Sequence, residues 1–566
     1  MTIKQSRRDF LRLSWGLGAG FAFPSALSSC GGGESESSAP VPGETFVQPA
    51  TVQSIDGRLD VTLRLAYFST TLNGKAVMLR AMNDSIPAPT LRVNVGDTLR
   101  IRVVNQLPSN PPSSEPAQHL RYPNSTNLHT HGLHVSPGII APGVYGDYVI
   151  DDPRLGVMPG QTRQHEYRIG LDHPPGAYWY HPHLHGATAM QVGSGMAGAL
   201  LIKGDIDRVP EIAAAVERVF MLQSPITDAK GTLESFTQVA DNPSSERPFL
   251  INGVRRPRIV MRRGEVQNWH FINAAIFNFA NLGVDDHALH VYSHDGNPRR
   301  DILVVSANKD NSVVLAPGNR VSALLQAGAP GTYYLRTLKF QMGTNAVLDE
   351  DILAEIVVVD PPLPMALPRG PFPVPASLAP VTDEEFARAG GLKRTIVMRA
   401  VFNEEGGSVT DPPANSLVHP GNEVDDWLFQ TGATTLANKV FALGSAGGLA
   451  SPSPGLPIEY IPFQSARALK QTVALGSVEE WTILNMNAIR HPFHIHINPF
   501  LIVSINGVPV DPYWADTIGL PPGGSPANPT SVTFRTRFRD FSGSTVMHCH
   551  MFSHEDLGMM QTVEIV

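Results

Sequence analysis

The stretch Val546-Met-His-Cys-His-Met-Phe-Ser-His-Glu-Asp-Leu-Gly-Met-Met560 lies almost at the end of the 566-residue chain. Its first two residues are apolar and lead into a predicted buried strand, in which residues two apart share a face. His548 and His550 would therefore point to one side of the strand, and Cys549 between them to the other. This alternation predicts one metal site on each side of a three-residue segment, joined through covalent bonds.

On the Cys549 side, His554 and Met559 follow at intervals of five and ten residues, which is enough chain to loop back to the same ion. A thiolate, imidazoles and a weak thioether form the ligand set of a blue-copper electron-transfer site. This set still needs a second imidazole. The alternative is a buried thiol among unrelated histidines, because free cysteine is often part of a hydrophobic core.

Further histidine clusters lie upstream: His129-Thr-His131-Gly, His181-Pro-His183-Leu-His185-Gly, and His491-Pro-Phe-His494-Ile-His496. On these motifs and the terminal stretch, the chain resembles the multicopper oxidases, a family of laccases, bacterial cuprous oxidases, ferroxidases and bilirubin oxidases. All four motifs stand in family order, and the resemblance extends from about residue 55 to the C-terminus. A single His-x-His on a strand is weak evidence, whereas four clusters with a His-Cys-His segment are not expected by chance.

Internal repetition indicates how the chain is divided. A Gly and an Asn stand nine residues apart on either side of an alternating segment in Gly96–Asn105, Gly264–Asn273 and Gly476–Asn485. Such alternation predicts half-buried strands. A second repeated strand begins at Gly176, Gly331 and Gly543, and five residues beyond these glycines stand His181, Arg336 and His548. The sequence therefore predicts three copies of one unit, of which the middle copy lacks the ligand.

The composition favours an all-β fold, because glycine (50) and proline (49) are plentiful and long amphipathic periodicity is nearly absent. The resemblance implies three consecutive cupredoxin-like Greek-key β-sandwich or barrel domains. We place them at 51–205, 206–375 and 376–566, with the second boundary inside the proline-rich stretch 361–380. The first and third domains would hold the metal ligands and the second would hold none.

Residues 1–30 predict an export signal. Ser6-Arg-Arg-Asp-Phe-Leu11 precedes an apolar run to Leu27, which is typical of a Tat signal, and glycines and a proline make that run unsuitable for a membrane span. Leu27-Ser-Ser-Cys30 resembles a bacterial lipobox, and residues 31–50 would then be a flexible tether. We expect a periplasmic or cell-surface protein, exported by the Tat machinery and attached to the membrane through lipidated Cys30. The alternative is ordinary signal cleavage nearby.

Charge and cysteine usage narrow the function classes. The formal net charge is −8, and the absence of a basic block argues against nucleic-acid binding. The chain has only two cysteines, Cys30 and Cys549. If both have the roles described above, no disulfide is expected in spite of the oxidising compartment.

The resemblance implies four copper ions. The type 2 ion would be held by His129 and His494. The two type 3 ions would be held by His131, His181 and His550, and by His183, His496 and His548. The type 1 ion would be held by His491, Cys549, His554 and Met559. His185 is left over and is interpreted as structural or supporting, and redox-inert zinc would not explain a cysteine placed between histidines.

This ligand set implies an electron path. A reductant would deliver electrons to the type 1 ion, and Cys549 would pass them through His548 and His550 to the cluster that reduces dioxygen to water. Glu555 and Asp147 match family carboxylates on the proton path, the alternative being a surface charge or a loop contact. The segment Trp514-Ala-Asp516-Thr517 also resembles a family segment, and we interpret it as structural.

We therefore predict a laccase-like enzyme that oxidises phenolic or aromatic donors with dioxygen as acceptor. A metal-ion oxidase, either a cuprous oxidase or a ferroxidase, is the alternative within the same chemistry, although the chain has no methionine-rich block. Copper sequestration without turnover and a copper-free structural role in the envelope would be functions of a different class, but every expected ligand position is filled here. The Gly-, Ser- and Pro-rich loop 403–454 is predicted to cover the type 1 site and help select the reductant.

Overall fold

The computed structural model describes residues 44–112, 122–150, 156–234, 239, 248–306, 312–344, 346–402, 416–417, 439–445, 458–461, 463, 470–525 and 528–566. The predicted signal 1–30 with Cys30, and residues 31–43 of the predicted tether, lie outside this part of the chain. Most of the predicted loop 403–454 also lies outside it, apart from two strands at Ser416–Leu417 and Lys439–Ser445. Within the described residues, no helix combines the length and the apolar character needed to cross a membrane.

The described chain consists mainly of β-strands, in three successive groups. The first group is β1 (Thr51–Gln53), β2 (Arg58–Leu72), β3 (Lys75–Met82), β4 (Ala88–Asn94), β5 (Thr98–Asn105), β6 (His129–His131), β7 (Ile139–Ala141), β8 (Val144–Tyr145), β9 (Thr162–Arg168), β10 (Gly176–His181) and β11 (Gly198–Lys203). The second group is β12 (Val216–Gln223), β13 (Leu250–Ile251), β14 (Arg258–Arg262), β15 (Val266–Asn273), β16 (Ala280–Val284), β17 (Ala288–His294), β18 (Asn297–Ser306), β19 (Val313–Leu315), β20 (Arg320–Gln326), β21 (Gly331–Thr337), β22 (Phe340–Gly343), β23 (Ala346–Leu348) and β24 (Asp351–Val359).

The third group is β25 (Lys393–Phe402), β26 (Ser416–Leu417), β27 (Lys439–Ser445), β28 (Ile458–Ile461), β29 (Lys470–Val473), β30 (Val478–Asn485), β31 (Pro492–Ile495), β32 (Phe500–Ile505), β33 (Val508–Ala515), β34 (Thr517–Gly519), β35 (Thr530–Arg537), β36 (Gly543–Cys549) and β37 (Met560–Ile565). Short α-helices are α1 (Thr188–Gly193), α2 (Pro210–Ala214), α3 (Asp383–Arg388) and α4 (Phe552–Asp556), and 3-10 turns lie at Asp205–Arg208 and Ala376–Leu378.

Each group of strands forms two main sheets, and β22 pairs with β23 in an additional two-stranded sheet of the second group. The strand orders are β1-β4-β11-β10-β6 with β3-β2-β5-β9-β8-β7 in the first group, β14-β24-β21-β16-β19 with β13-β12-β15-β20-β17-β18 in the second, and β29-β37-β36-β31-β34 with β26-β28-β27-β25-β30-β35-β32-β33 in the third. The predicted all-β fold of three consecutive sandwich domains is confirmed. The predicted boundaries near 205 and 375 lie in the two intervals between these groups of strands.

The repeated segments occupy equivalent places in the three sandwiches. β5, β15 and β30 each pair in parallel with one strand and antiparallel with another, namely with β2 and β9, with β12 and β20, and with β25 and β35. Burial alternates along β5, as expected of a half-buried strand, whereas every residue of β15 is buried. The reason is that β15 packs on both faces. Trp269 lies in the core of its own domain, while Ile272 lies in a cluster shared with Trp179 of the first domain and Phe552 of the third.

Candidate functional site

Strand register brings the histidines of each outer domain together. β6 pairs with β10 so that His129 lies opposite His181. In the third domain, β31 pairs with β36 so that His494 lies opposite His548. Two residue pairs that are far apart in sequence thus become neighbours, because antiparallel pairing places them opposite each other on adjacent strands.

At the contact between the two outer domains, ring nitrogens from both meet. The distance from His183 Nε2 to His548 Nε2 is 3.1 Å, and that from His496 Nε2 to His548 Nε2 is 3.2 Å. His550 Nε2 lies 3.1 Å from Nδ1 of His131. Three convergent Nε2 atoms cannot all be satisfied by hydrogen bonds to one another, whereas a metal ion accepts all three lone pairs.

Eight histidines, each at most 1% exposed, form this cluster. In the described chain, ligand atoms that lie within 4.8 Å of one another define the groups His131, His181 and His550; His183, His496 and His548; His129, His131 and His494; and His129, Asp147 and His496. The first two groups are the triads that the resemblance assigns to the type 3 ions. The third contains the pair assigned to the type 2 ion.

The outer nitrogens of His129 and His181 are hydrogen-bonded to protein oxygens, which fixes the tautomers of these two rings. Nδ1 of His181 lies 2.8 Å from the carbonyl of Pro182, and Nδ1 of His129 lies 2.9 Å from the Asp147 carboxylate. The Nε2 atoms of both rings are buried without a hydrogen-bond partner. Since Nδ1–H donates outward, each Nε2 presents a lone pair to the cluster, as a metal ligand must.

Burial keeps these imidazoles neutral. Loss of water around the ring lowers the pKa of His181 to about 3 and that of His548 to about 4. Desolvation, and then the neighbouring histidines, lower the pKa of His183 well below its ordinary value. Neutral imidazoles bind transition metals, and the residues present therefore fit copper.

Cys549 occupies the opposite side of β36, with two imidazoles around its sulfur. Sγ lies 3.4 Å from Nδ1 of His491 and 3.7 Å from Nδ1 of His554, and the two nitrogens are 3.3 Å apart. A point equidistant from these three atoms lies roughly 2 Å from each, which is the length of a metal–imidazole bond. Burial raises the pKa of the Cys549 thiol, so a thiolate there needs a bound cation. The triangle fits the trigonal His₂Cys set of a blue-copper site.

Met559 is the remaining residue of the predicted ligand set, and His185 is the histidine that the assignment left over. Met559 is fully buried in the same apolar cluster as Cys549, and its carbonyl accepts a 3.0 Å hydrogen bond from the Cys549 amide. Its role as a ligand of the type 1 ion stays a prediction. His185 is outside the ligand groups found in the described chain and packs edge-on against Phe463, with ring centroids 5.1 Å apart.

Both predicted carboxylates contact cluster histidines. Glu555 is fully buried, with its oxygens 3.4 Å from His183 Nδ1 and 3.3 Å from His548 Nδ1, and the Thr188 hydroxyl donates to it at 3.1 Å. Burial, with Asp556 next in effect, raises the pKa of Glu555 well above its ordinary value. Asp147 lies 3.4 Å from His496 Nδ1 in addition to its contact with His129. Their part in proton transfer stays a prediction.

Two residues that touch the cluster or its partners were missed in the sequence. Asp516, interpreted as structural, lies with its carboxylate 3.1 Å from His131 Nε2 and with its carbonyl 2.7 Å from His494 Nδ1. Arg320 of the second domain forms a bidentate ion pair with the Asp516 carboxylate. The family-like segment around Asp516 was a signal for the first, whereas a single arginine after a Pro-Gly-Asn turn offered none for the second.

Three sequence models of the multicopper oxidase family match the chain, at residues 118–206, 222–360 and 460–566. Laccase-1 of Melanocarpus albomyces is 25% identical over 527 residues, covering 84% of this chain and 73% of the relative. The iron transport multicopper oxidase FET5 of Saccharomyces cerevisiae is 24% identical over 523 residues, covering 84% of this chain and 74% of the relative.

Solved structures show the same fold. A multicopper oxidase from Campylobacter jejuni, described as a metallo-oxidase, aligns with a TM-score of 0.66 at 22% identity, over 93% of this chain and 96% of that one. A laccase-like multicopper oxidase from Ochrobactrum sp. aligns with a TM-score of 0.65 at 20% identity, over 92% and 100% of the two chains. Since the three sequence models together match more than half of its residues, the chain belongs to the multicopper oxidases, copper-dependent oxidoreductases that use dioxygen as electron acceptor.

Proposed function

We propose that this protein is a laccase-like oxidase with four copper ions, which couples one-electron oxidation of phenolic or aromatic donors to reduction of dioxygen to water. His491, Cys549, His554 and Met559 would hold the type 1 ion. The eight buried histidines would hold the type 2 and type 3 ions as assigned above. Bound there, copper would supply one-electron redox chemistry at the first site and dioxygen reduction at the second.

The observation that carries this proposal is the covalent link through Cys549. Its sulfur belongs to the His491–His554 triangle, and its peptide neighbours His548 and His550 belong to two different triads of the cluster. Only the bonds of adjacent residues separate the two sites, so the chain itself forms a short electron path. Copper sequestration alone would not require this arrangement.

The two carboxylates would have different roles at the cluster. Dioxygen reduction consumes protons, and the histidines of the cluster are almost completely buried, so protons have to be delivered through neighbouring groups. Glu555 lies between His183 and His548, and burial favours its protonated form. We infer that Glu555 supplies protons on one side of the cluster. On the other side, Asp147 would orient the His129 ring through the hydrogen bond to its Nδ1.

An aromatic donor is favoured by the surroundings of the cysteine site. His554 is 7% exposed and His491 is fully buried, so His554 offers the more accessible ring edge. The ring of Phe277 stands edge-on to His554, with centroids 6.2 Å apart, and an aromatic neighbour suits a planar phenolic donor. Metal-ion oxidation is the second candidate, since FET5 is named as an iron transport oxidase.

We also propose that the protein is exported by the Tat machinery and anchored through lipidated Cys30, on the basis of the Arg-Arg signal and the lipobox-like segment. Metabolic labelling with a fatty acid, with Cys30→Ser as control, would test the anchor. Absence of label from the wild-type protein would contradict it.

Replacing Cys549 with Ser tests the central proposal. The variant should lose the blue absorption near about 600 nm that Cu–thiolate bonding causes and should no longer consume oxygen with a phenol, while retaining its cluster copper. Cys30→Ser, the other cysteine variant, should keep both properties. Oxygen consumption by Cys549→Ser at the wild-type rate would refute the electron path.

The donor class needs a direct comparison. Steady-state rates with a phenol, Fe(II), Cu(I) and Mn(II) would be measured on one preparation with its copper content determined. We expect the largest kcat/KM for the phenol. A larger value for one of the metal ions would identify a metal-ion oxidase instead.

A further inference from the structure

Arg320 lies at the start of β20, in the domain that contributes no histidine to the cluster, and its side chain is completely buried. All five of its N–H donors are used. Nε donates to the Ala177 carbonyl (3.2 Å), Nη1 to the Gly318 carbonyl (3.1 Å) and to Asp516 Oδ1 (2.7 Å), and Nη2 to the Asp295 carbonyl (2.9 Å) and to Asp516 Oδ2 (2.6 Å). These acceptors belong to all three domains. A guanidinium with no free donor and a bidentate partner holds that partner in one orientation.

Its partner Asp516 in turn holds two cluster histidines. The carboxylate accepts from His131 Nε2 at 3.1 Å, and the backbone carbonyl of the same residue accepts from His494 Nδ1 at 2.7 Å. The two rings stack with centroids 3.9 Å apart and an interplanar angle of 12°. Asp516 therefore contacts two imidazoles, one from each outer domain. The Thr517 hydroxyl donates to Asp516 Oδ1 at 2.9 Å. It also lies 3.2 Å from His131 Nε2 and 3.1 Å from His494 Nδ1, so it supports the same two ring orientations.

The hydrogen bond to Asp516 also decides which nitrogen of His131 faces the cluster. A carboxylate only accepts, so Nε2 carries the proton and Nδ1 carries the lone pair. Nδ1 is the atom that lies 3.1 Å from His550 Nε2. His131 thus presents Nδ1 to the cluster, whereas His129 and His181 present Nε2. The Asp516 oxygen and the Thr517 hydroxyl that it holds favour this reversal.

The second domain fixes the backbone of this segment as well. Asp295 Oδ2 accepts from the amides of Asp516 and Thr517, at 3.2 Å each. Asp295 Oδ1 accepts from the Arg320 amide at 2.8 Å. Asp295 therefore binds the main chain of Asp516, and Arg320 of the same domain binds its side chain.

We propose that Arg320 is a positioning residue for the copper cluster: through Asp516 it fixes the ring orientations of His131 and His494, so that the domain without ligands organises the ligands of the other two. This inference rests on the copper assignment proposed above. Lysine cannot replace the bidentate contact, since its ammonium is a single point of charge. Partners that orient metal-bound histidines typically contribute a factor of about 10–100 in metal affinity or activity.

The test compares Arg320→Lys with Arg80→Lys. Arg80 is equally buried, at 1% exposure, and donates to Asn124 and to the Leu233 carbonyl, away from the cluster. For each holoprotein we would measure copper per chain, the blue absorption, the EPR signal of the type 2 ion, and copper release during titration with a chelator. Arg320→Lys should keep the blue absorption but release cluster copper at about 10–100-fold lower chelator concentration, with an altered type 2 signal. Arg80→Lys should match the wild-type protein.

Wild-type copper release and EPR from Arg320→Lys would overturn the inference. If Arg320→Lys fails to fold, the same measurements on Asp516→Asn test the inference. The asparagine side chain has nearly the size of aspartate but no longer provides two accepting oxygens. Loss of cluster copper with the blue absorption retained would support the role of the pair, and wild-type behaviour, or failure to fold, would overturn it. A wild-type protein without any blue absorption would instead contradict the proposed function, so the two failures are distinguishable.

Discussion

Gly132 follows the cluster ligand His131 directly and lies against the buried ion pair of the second and third domains. Its φ is +88°, a left-handed conformation that favours glycine. A Cβ at this position would overlap Arg320 Nη2 and would lie 2.5 Å from Asp516 Oδ2 and 3.0 Å from Tyr178 Cδ1. Replacing Gly132 with Ala should therefore separate Arg320 from Asp516.

The expected loss in the free energy of unfolding of Gly132→Ala has two parts. An alanine at positive φ costs about 1–2 kcal/mol. Disrupting a buried ion pair, which leaves charges without compensation, costs about 3–5 kcal/mol. Gly143 provides the matched control, since its φ is +77° and no heavy atom lies within 4 Å of the point that a Cβ would occupy. Gly143→Ala should show the first cost alone, so the two variants should differ by about 3–5 kcal/mol.

The assay is urea unfolding of the copper-free proteins, followed by tryptophan fluorescence. Because a three-domain chain need not unfold in one step, the midpoint and slope of each transition are compared between variants. Gly132→Ala should shift the transition that includes the contact between the second and third domains to lower urea concentration. A shift no larger than that of Gly143→Ala would refute the reasoning that Arg320 and Asp516 are closely packed against this turn.

Two further predictions concern protons. Glu555→Gln removes the buried acid beside His183 and should slow dioxygen reduction by about 10²–10⁴-fold. Anaerobic reduction of the blue site by a phenol, followed by stopped-flow absorption, should be unchanged. If this reduction is also slower, Glu555 does more than supply protons. His173 accepts from the His134 amide at 3.0 Å, and burial lowers its pKa to about 4, so the stability it contributes is present above pH 6.5 and is lost as the pH falls towards 4. Between pH 7 and 5 this loss in the free energy of unfolding is about 2 kcal/mol. In urea unfolding, the pH dependence of the free energy of unfolding should be smaller by about this amount in His173→Gln than in the wild-type protein. An unchanged pH dependence would show that His173 is not the group responsible.

Local patterns determined much of the fold. The Gly-to-Asn segments became β5, β15 and β30 in equivalent sheet positions, because alternation of buried and exposed side chains is a property of a short stretch of chain. The burial of both faces of β15 differed from the prediction. It depends on Phe552 and Trp179, which come from other domains and leave no trace in the sequence of the strand.

The arrangement of the terminal ligands was equally predictable, since two-residue spacing on a strand places His548 and His550 together and Cys549 opposite them. The grouping of the other histidines around the ions was implied by the family resemblance. The structure brings the predicted histidine and cysteine ligands of each group within 4.8 Å of one another, and copper occupancy and the role of Met559 stay predictions. The order of motifs did not show which nitrogen each ring turns inward. That choice depends on hydrogen-bond partners such as the Pro182 carbonyl and the Asp516 carboxylate.

The sequence alone therefore determined the kinds of ligand and their grouping along each strand, because both follow from spacing between near neighbours. The tertiary structure decided how the rings are held. Arg320 and Asp516 are 196 residues apart, and no spacing rule connects them. They meet because Arg320 is buried where the three domains contact one another. A buried charge needs hydrogen-bond partners, and there the partners come from distant parts of the chain.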